Sequence, residues 1–233
     1  MALVDKNISQ PSAAMLVIGD EILSGRTQDL NTQFIATRLT EVGINLSEVR
    51  VVPDSNSAIV SAVNALRVCH KYLFTSGGIG PTHDDITADA IANAFKVDIN
   101  VRDDAKRILS TYYSDGEKSL NEARLRMARI PETADLIENP ISGAPGYIIE
   151  NVYVMAGVPK IFKSMLKTLL PNLKKVRFKS LILNKSIRLT VSNAGVRSVD
   201  KKGSFDQFIK STKAKNLSFR LKKLKKSLLS KSA

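Results

Sequence analysis

Cysteine and histidine are almost missing from this chain, and so is any long apolar run. The single cysteine, Cys69, excludes a disulfide framework and fits a reducing, cytoplasmic setting. Two histidines, His70 and His83, are too few for a histidine-based metal site. No segment approaches the roughly 18 consecutive apolar residues that a membrane span requires. The opening MALVDKNISQPS lacks a basic patch followed by an apolar stretch, so no secretory signal is expected there. No internal repeat is present.

Acidic residues are scarce in one region only. Residues 172–233 hold 18 Lys/Arg and two acids, Asp200 and Asp206, whereas residues 1–171 hold 17 basic and 20 acidic residues. The net charge of +13 therefore belongs to a basic C-terminal segment, while the larger part of the chain is slightly acidic. Hydrophobic residues at 43% are enough to build a buried core over most of the 233 residues, so one sizeable domain with an appendage is expected.

Apolar runs and helical spacings alternate through the first hundred residues. AAMLVI (Ala13 to Ile18) is a continuous apolar run ended by Gly19, Asp20 and Glu21, as suits a strand buried on both faces. Phe34, Ile35, Leu39 and Val42 predict a helix over 32–42 stopped by Gly43. A strand follows over 44–52, a helix carrying Ile59, Val60, Val63 and Leu66, a strand over 71–75, and a helix over 88–95. This order predicts an open, mostly parallel α/β sheet. Helices are expected over 103–113, 120–128 and 161–170, with paired strands over 147–150 and 152–156.

The third strand runs into FTSGGIGPTHDDIT (Phe74 to Thr87), three glycines followed by a doubled acid. In such sheets ligands sit beyond the carboxyl ends of the strands. Gly77, Gly78 and Gly80 allow backbone N–H groups to approach a ligand and share a concavity, and the next helix adds its positive N-terminus. Phosphate suits that place, and Asp84 and Asp85 beside it call for a divalent cation bridging carboxylate and phosphate. Local capping is the competing account: Thr82 to Asp85 matches a capping box, which explains one acid but not three glycines.

Five stretches carry a family resemblance: VIGDEILSGRTQDLN (Val17 to Asn31), VVPDS (Val51 to Ser55), TSGGIGPTHDDITADA (Thr75 to Ala90), SGAPGY (Ser142 to Tyr147) and MAGVP (Met155 to Pro159). In this order they resemble the MoaB/Mog, or molybdopterin-binding, domain, over residues 13–171. The doubled acid of GPTHDDIT resembles its CinA-like branch. The resemblance implies a three-layer α/β sandwich with a mostly parallel central sheet, a homo-oligomer (dimer or trimer), and a nucleotide or pterin phosphate ligand. For the CinA-like branch it implies metal-dependent hydrolysis of ADP-ribose with Mg2+ or Co2+. For the Mog branch it implies molybdopterin binding and adenylyl transfer, which the doubled acid argues against.

On this resemblance Asp85 and Asp54 are the expected catalytic residues, and Asp84, Asp85, Asp20 and Glu21 the expected metal ligands. Gly77, Gly78, Gly80, Thr82, Asn31, Gly143 and Gly146 are the expected phosphate- or nucleotide-binding residues. Plainer accounts stand beside several of these. Asp54 suits a turn after Pro53, Asn31 suits a helix N-cap, and Gly143 and Gly146 suit an ordinary loop. Thr75 and Ser76 could offer hydroxyls, His83 sits among the ligand groups, and Cys69 and His70 read as core packing or a strand entry.

Beyond Pro171 the pattern stops. Residues 172–233 show one strand, over 186–191, and a closing run in which Leu217, Leu221, Leu224 and Leu228 recur at helical spacing among lysines. Such a segment can bind nucleic acid or membrane, pack its leucines inward, or stay partly disordered. The abrupt change of composition is also what an altered reading frame would produce. The amidohydrolase domain of full-length CinA proteins is not expected here.

Overall fold

The computed structural model describes residues 11–170, 173–214, 217 and 219–230. The opening MALVDKNISQ, read above for a secretory signal, lies outside the described residues, as do Pro171 and Asn172 at the expected boundary. The chain divides into two compact units at Leu170/Pro171.

In the first unit β1 (Ser12–Ile18) leads through a single helical turn, α1 (Asp20–Leu23), into α2 (Asn31–Val42), β2 (Asn45–Val52), α3 (Asn56–Cys69), β3 (Tyr72–Ser76) and α4 (Thr87–Phe95). There follow β4 (Ile99–Val101), α5 (Asp103–Ser110), a 3-10 turn (Gly116–Ser119), α6 (Glu122–Arg126), β5 (Arg129–Pro131), β6 (Asp135–Ile137), β7 (Gly146–Ile149), β8 (Val152–Met155) and α7 (Pro159–Leu169). Six strands form one sheet in the order β2-β1-β3-β8-β7-β6, parallel from β2 through β8 and antiparallel on either side of β7. The short β4 and β5 pair apart from it.

Strand β1 lies inside the sheet between β2 and β3, and the alternation of its side chains organises both layers. Ala14, Leu16 and Ile18 pack with Ile59, Val63 and Leu66 of α3 and Ile91 of α4. Ala13, Met15 and Val17 face the other way, onto Ile35 and Leu39 of α2 and Phe162 and Met165 of α7. Each fully buried Leu, Ile, Met or Phe contributes about 1.5–3 kcal/mol relative to exposure, which is why an unbroken apolar run can only be a central strand. The expected three-layer α/β sandwich is what forms.

The layers also locate the site. The helix after β1 packs on one face and the helix after β2 on the other, so chain order reverses between β1 and β3. The loops leaving these two strands therefore diverge and open a crevice at their carboxyl ends.

The second unit is a hairpin, β9 (Leu173–Ser180) with β10 (Lys185–Ser192), followed by α8 (Asn193–Asp200), α9 (Phe205–Ser211) and α10 (Phe219–Ser230). It has its own core of Phe178, Ile187, Val199, Phe205, Ile209, Leu217 and Leu228, with the Phe178 and Phe205 rings stacked 5.1 Å apart. Lys225 Nζ donates to the carbonyls of Lys210 and Thr212 at 2.8 and 2.7 Å, closing the end of α9. The leucine stripe thus packs inward. Among the described residues no helix is long and apolar enough to cross a membrane.

Candidate functional site

Two glycines bring the β3 turn against its neighbours. Gly77 has φ 113°, and a Cβ there would overlap the carbonyl oxygen of Ile18 at the end of β1. Its N–H is spent on the carbonyl of Met155 in β8, at 3.2 Å. Gly78 has φ 66°, and its missing Cβ leaves room for the buried Thr87 hydroxyl, while its carbonyl accepts the Thr87 N–H at 3.0 Å. Both backbones are in conformations that L side chains avoid. Gly77 therefore closes the sheet rather than donating to a ligand. The N–H groups of Gly78, Ile79 and Gly80 have no acceptor among the described residues.

The doubled acid splits into two roles. The Asp85 carboxylate lies over Gly80, its Oδ2 2.5 Å from where a Cβ would stand, and accepts from the N–H of Thr82 at 2.9 Å and from the Thr82 hydroxyl. This is the capping-box contact, although α4 begins later, at Thr87. Asp84 is exposed, and hydrogen bonding within the turn holds its carboxyl below the usual carboxylate range. Asp84 is thus the acid presented to solvent.

More carboxylates gather across the crevice. Asp20 and Glu21, directly after β1, stand in α1 on the exposed rim. Asp54, after β2, is half-buried, and its Oδ2 accepts the Asp20 N–H at 3.0 Å. Burial pushes the Asp54 carboxyl up, and the charges of Glu21, Asp20 and Asp84 push it further, against the pull of that hydrogen bond. Among the described residues no three His, Cys, Asp or Glu side chains stand together as a complete metal cage. The donors nevertheless fit a hard divalent ion such as Mg2+ or Co2+. They are carboxylate oxygens whose mutual repulsion a cation relieves, and Mg2+ takes one or two protein carboxylates and completes its shell with phosphate and water oxygens.

This crevice belongs to a recognisable group of proteins. The family model described as "Probable molybdopterin binding domain" matches residues 14–175. A crystal structure of the protein CinA, of unknown function, from Thermoplasma acidophilum superposes with a TM-score of 0.63 at 33% identity, covering 68% of this chain and 95% of that one. The chain belongs to the MoaB/Mog, or molybdopterin-binding, domain family, in its CinA-like branch. A CinA-like protein of Desulfosudis oleivorans is 36% identical over 160 residues, 67% of this chain and 39% of its own length. A probable FAD synthase of Caenorhabditis elegans is 36% identical over 168 residues, 64% of this chain and 32% of its own length. The chain thus spans about a third to two fifths of these longer relatives. A second model, the Ribosomal L28 family, matches residues 159–202.

Other residues expected from the MoaB/Mog pattern are placed as follows. Asn31 does not cap α2, because Asp29 Oδ1 accepts the N–H groups of Asn31 and Thr32 at 2.8 and 3.1 Å. Asn31 itself is 3% exposed and donates to Ser76 Oγ at 2.8 Å and to the Gly157 carbonyl at 2.7 Å, tying α2 to the ends of β3 and β8. Among the described residues its Oδ1 has no partner, and Asn31 lines a cavity of about 50 Å³ with Glu21 and Ser76. The Thr75 hydroxyl is buried and Ser76 is committed to Asn31, so neither is offered to a ligand as the sequence suggested.

Gly143 and Gly146 are explained inside the protein, since a Cβ at either would strike the Tyr112 ring or the Val154 carbonyl. Cys69 is exposed at the end of α3, not in a core. His70 is held between Ser47 Oγ and Glu48 Oε2, at 3.2 Å from each. Sequence reasoning missed Asp89, whose carboxylate grips Arg129 at 2.9 and 2.6 Å behind the turn, and it missed Arg126. Arg129 stands 40 residues beyond Asp89 and Arg126 46 beyond Gly80, separations that only the fold closes.

Proposed function

We propose that the first unit hydrolyses the pyrophosphate of a nucleotide such as ADP-ribose, with a divalent cation. What carries this reading is one juxtaposition: the unclaimed amides of Gly78, Ile79 and Gly80 lie at the same strand ends as a crowded set of carboxylates. The amides suit the non-bridging phosphate oxygens. A cation held by Asp84 with Asp20 or Glu21 would offset the charge of the phosphates. Asp54, with Oδ2 fixed by the Asp20 N–H and its carboxyl pushed up, suits a general base. It orients water and accepts its proton, the water oxygen bonds to phosphorus, and the bridging P–O bond breaks to leave AMP and ribose 5-phosphate. Asp85 keeps the turn closed through Thr82, and so acts as a positioning residue. The relative named as an FAD synthase is at least named for a molecule containing the same linkage.

The test is incubation with ADP-ribose and Mg2+ or Co2+, with AMP quantified by chromatography. AMP released by the parent and not by Asp54→Asn supports the assignment, and no AMP with either metal overturns it. Molybdopterin binding or adenylyl transfer is the alternative on this fold, and a pterin fluorescing in the purified protein would favour it. A homo-oligomer is part of the same reading and is checked by light scattering.

A second reading concerns the basic C-terminal unit, and the match of residues 159–202 to the Ribosomal L28 family favours it. Arg177 and Arg188 lie directly opposite each other across the hairpin, both exposed, and Lys179 is exposed on the same strand face. Like charges so placed repel, and an RNA backbone would relieve them. Binding to RNA that falls steeply with salt supports this; binding to anionic vesicles alone would point to membrane instead.

A further inference from the structure

The glycine turn is one wall of a second space. A cleft of about 460 Å³ is lined on one side by Pro81, Thr82 and His83 and on the other by Asn121, Glu122, Ala123 and Arg126 of the α6 turn. Arg126 also lines the small cavity beside Gly80 and Asp85, so this one residue borders both spaces.

Three arginines crowd this stretch, and two are committed. Arg124 donates to the Ser119 carbonyl and lies 4.1 Å from the centre of the Tyr113 ring. Arg129 is locked to Asp89 by two hydrogen bonds. Arg126 has only a loose pairing with Glu122 at 3.9 Å among the described residues, and the Glu122 side chain is 93% exposed. A loosely paired guanidinium on a residue that lines a cleft beside the glycine turn is a ready donor to a phosphate.

The rest of the lining narrows the ligand. Asn121 uses Oδ1 to accept the Arg124 N–H at 2.9 Å, which leaves its amide N–H groups to donate. The Glu122 carboxylate is an acceptor pair for two adjacent hydroxyls, and Thr82 and His83 add polar atoms. Apolar surface comes from Pro81 and Ala123, and no Phe, Tyr or Trp lines the cleft, so a purine would find no stacking platform.

From this lining we infer that the cleft is a subsite for a five-carbon sugar phosphate, with the phosphoryl group on Arg126 and the vicinal diol on Glu122. This rests on the pyrophosphatase reading and assigns the non-adenosine half of the substrate to the cleft.

The experiment is calorimetric titration of the full-length protein, in Mg2+, with ribose 5-phosphate, AMP and ADP-ribose. The parent binds ribose 5-phosphate, and Arg126→Ala weakens that binding about tenfold or more while leaving AMP within twofold. Arg126→Lys restores part of the loss. Glu122→Gln weakens ribose 5-phosphate several-fold but leaves 2-deoxyribose 5-phosphate unchanged. If the parent binds ADP-ribose and AMP while both variants bind ribose 5-phosphate as the parent does, the subsite is wrong and the pyrophosphatase reading stands. If the parent binds none of the three, that reading fails and takes the subsite with it.

Discussion

The Asp54 carboxylate accepts the backbone N–H of Asp20 at 3.0 Å, which ties the loop after β2 to the turn after β1 at the mouth of the crevice. The tie holds a carboxyl that burial and three neighbouring charges push above its usual range. A carboxyl raised in the folded state favours folding only where it is protonated, and that contribution is lost as pH rises through its ordinary and folded values. Asp54→Asn keeps an oxygen for the Asp20 N–H and removes the charge. Urea unfolding should show the variant more stable than the parent at pH 7, by a few tenths of a kcal/mol to about 1 kcal/mol given the exposure of the group. The two should converge at about pH 3. Turnover should fall about 10²-fold or more in the same variant.

Substitutions in the glycine turn should rank by what the new Cβ meets. Gly77→Ala meets the Ile18 carbonyl at a backbone angle strained for alanine, and should cost roughly 2–4 kcal/mol in urea unfolding. Gly80→Ala meets the movable Asp85 carboxylate, so stability should change less, while the Thr82–Asp85 contact and turnover are lost together. Equal destabilisation by both would contradict the division between a sheet-closing glycine and a ligand-facing one.

Much of this arrangement is legible before folding is considered. The run AAMLVI identifies a strand buried on both faces because no polar residue interrupts it, and the glycines announce a turn that tolerates no side chain. The strands β4, β5 and β6 are three residues each, too short for a period of two to emerge from noise. Strand β9 is hidden by its own charge, since Val176 and Phe178 alternate with cations and read as a polar tail. The division of labour between Asp84 and Asp85 is equally invisible in sequence, because adjacent identical residues differ only in where the turn points them.

Asn31 offers a separate check on the inner scaffold. Asn31→Ala leaves the Gly157 carbonyl and Ser76 hydroxyl without their donor, and should cost about 2 kcal/mol by chemical denaturation. Asn31→Asp should cost more, since it buries a charge against a carbonyl oxygen. A neutral Asn31→Ala would show that α2 is held by its apolar face alone.

The hairpin of the second unit carries its own expectation. Reversing both opposed cations, Arg177→Glu with Arg188→Glu, should abolish salt-sensitive RNA binding in a filter assay while nucleotide hydrolysis by the first unit is unchanged. RNA retention equal to that of the parent would remove the hairpin face from consideration.

The most direct measurement is a crystal structure with Mg2+ and an ADP-ribose analogue whose bridging oxygen is replaced by methylene. The account predicts the phosphonate oxygens on the N–H groups of Gly78, Ile79 and Gly80, with Asp84 and one neighbouring carboxylate on the cation. An analogue bound elsewhere, with those amides facing only solvent, would contradict it.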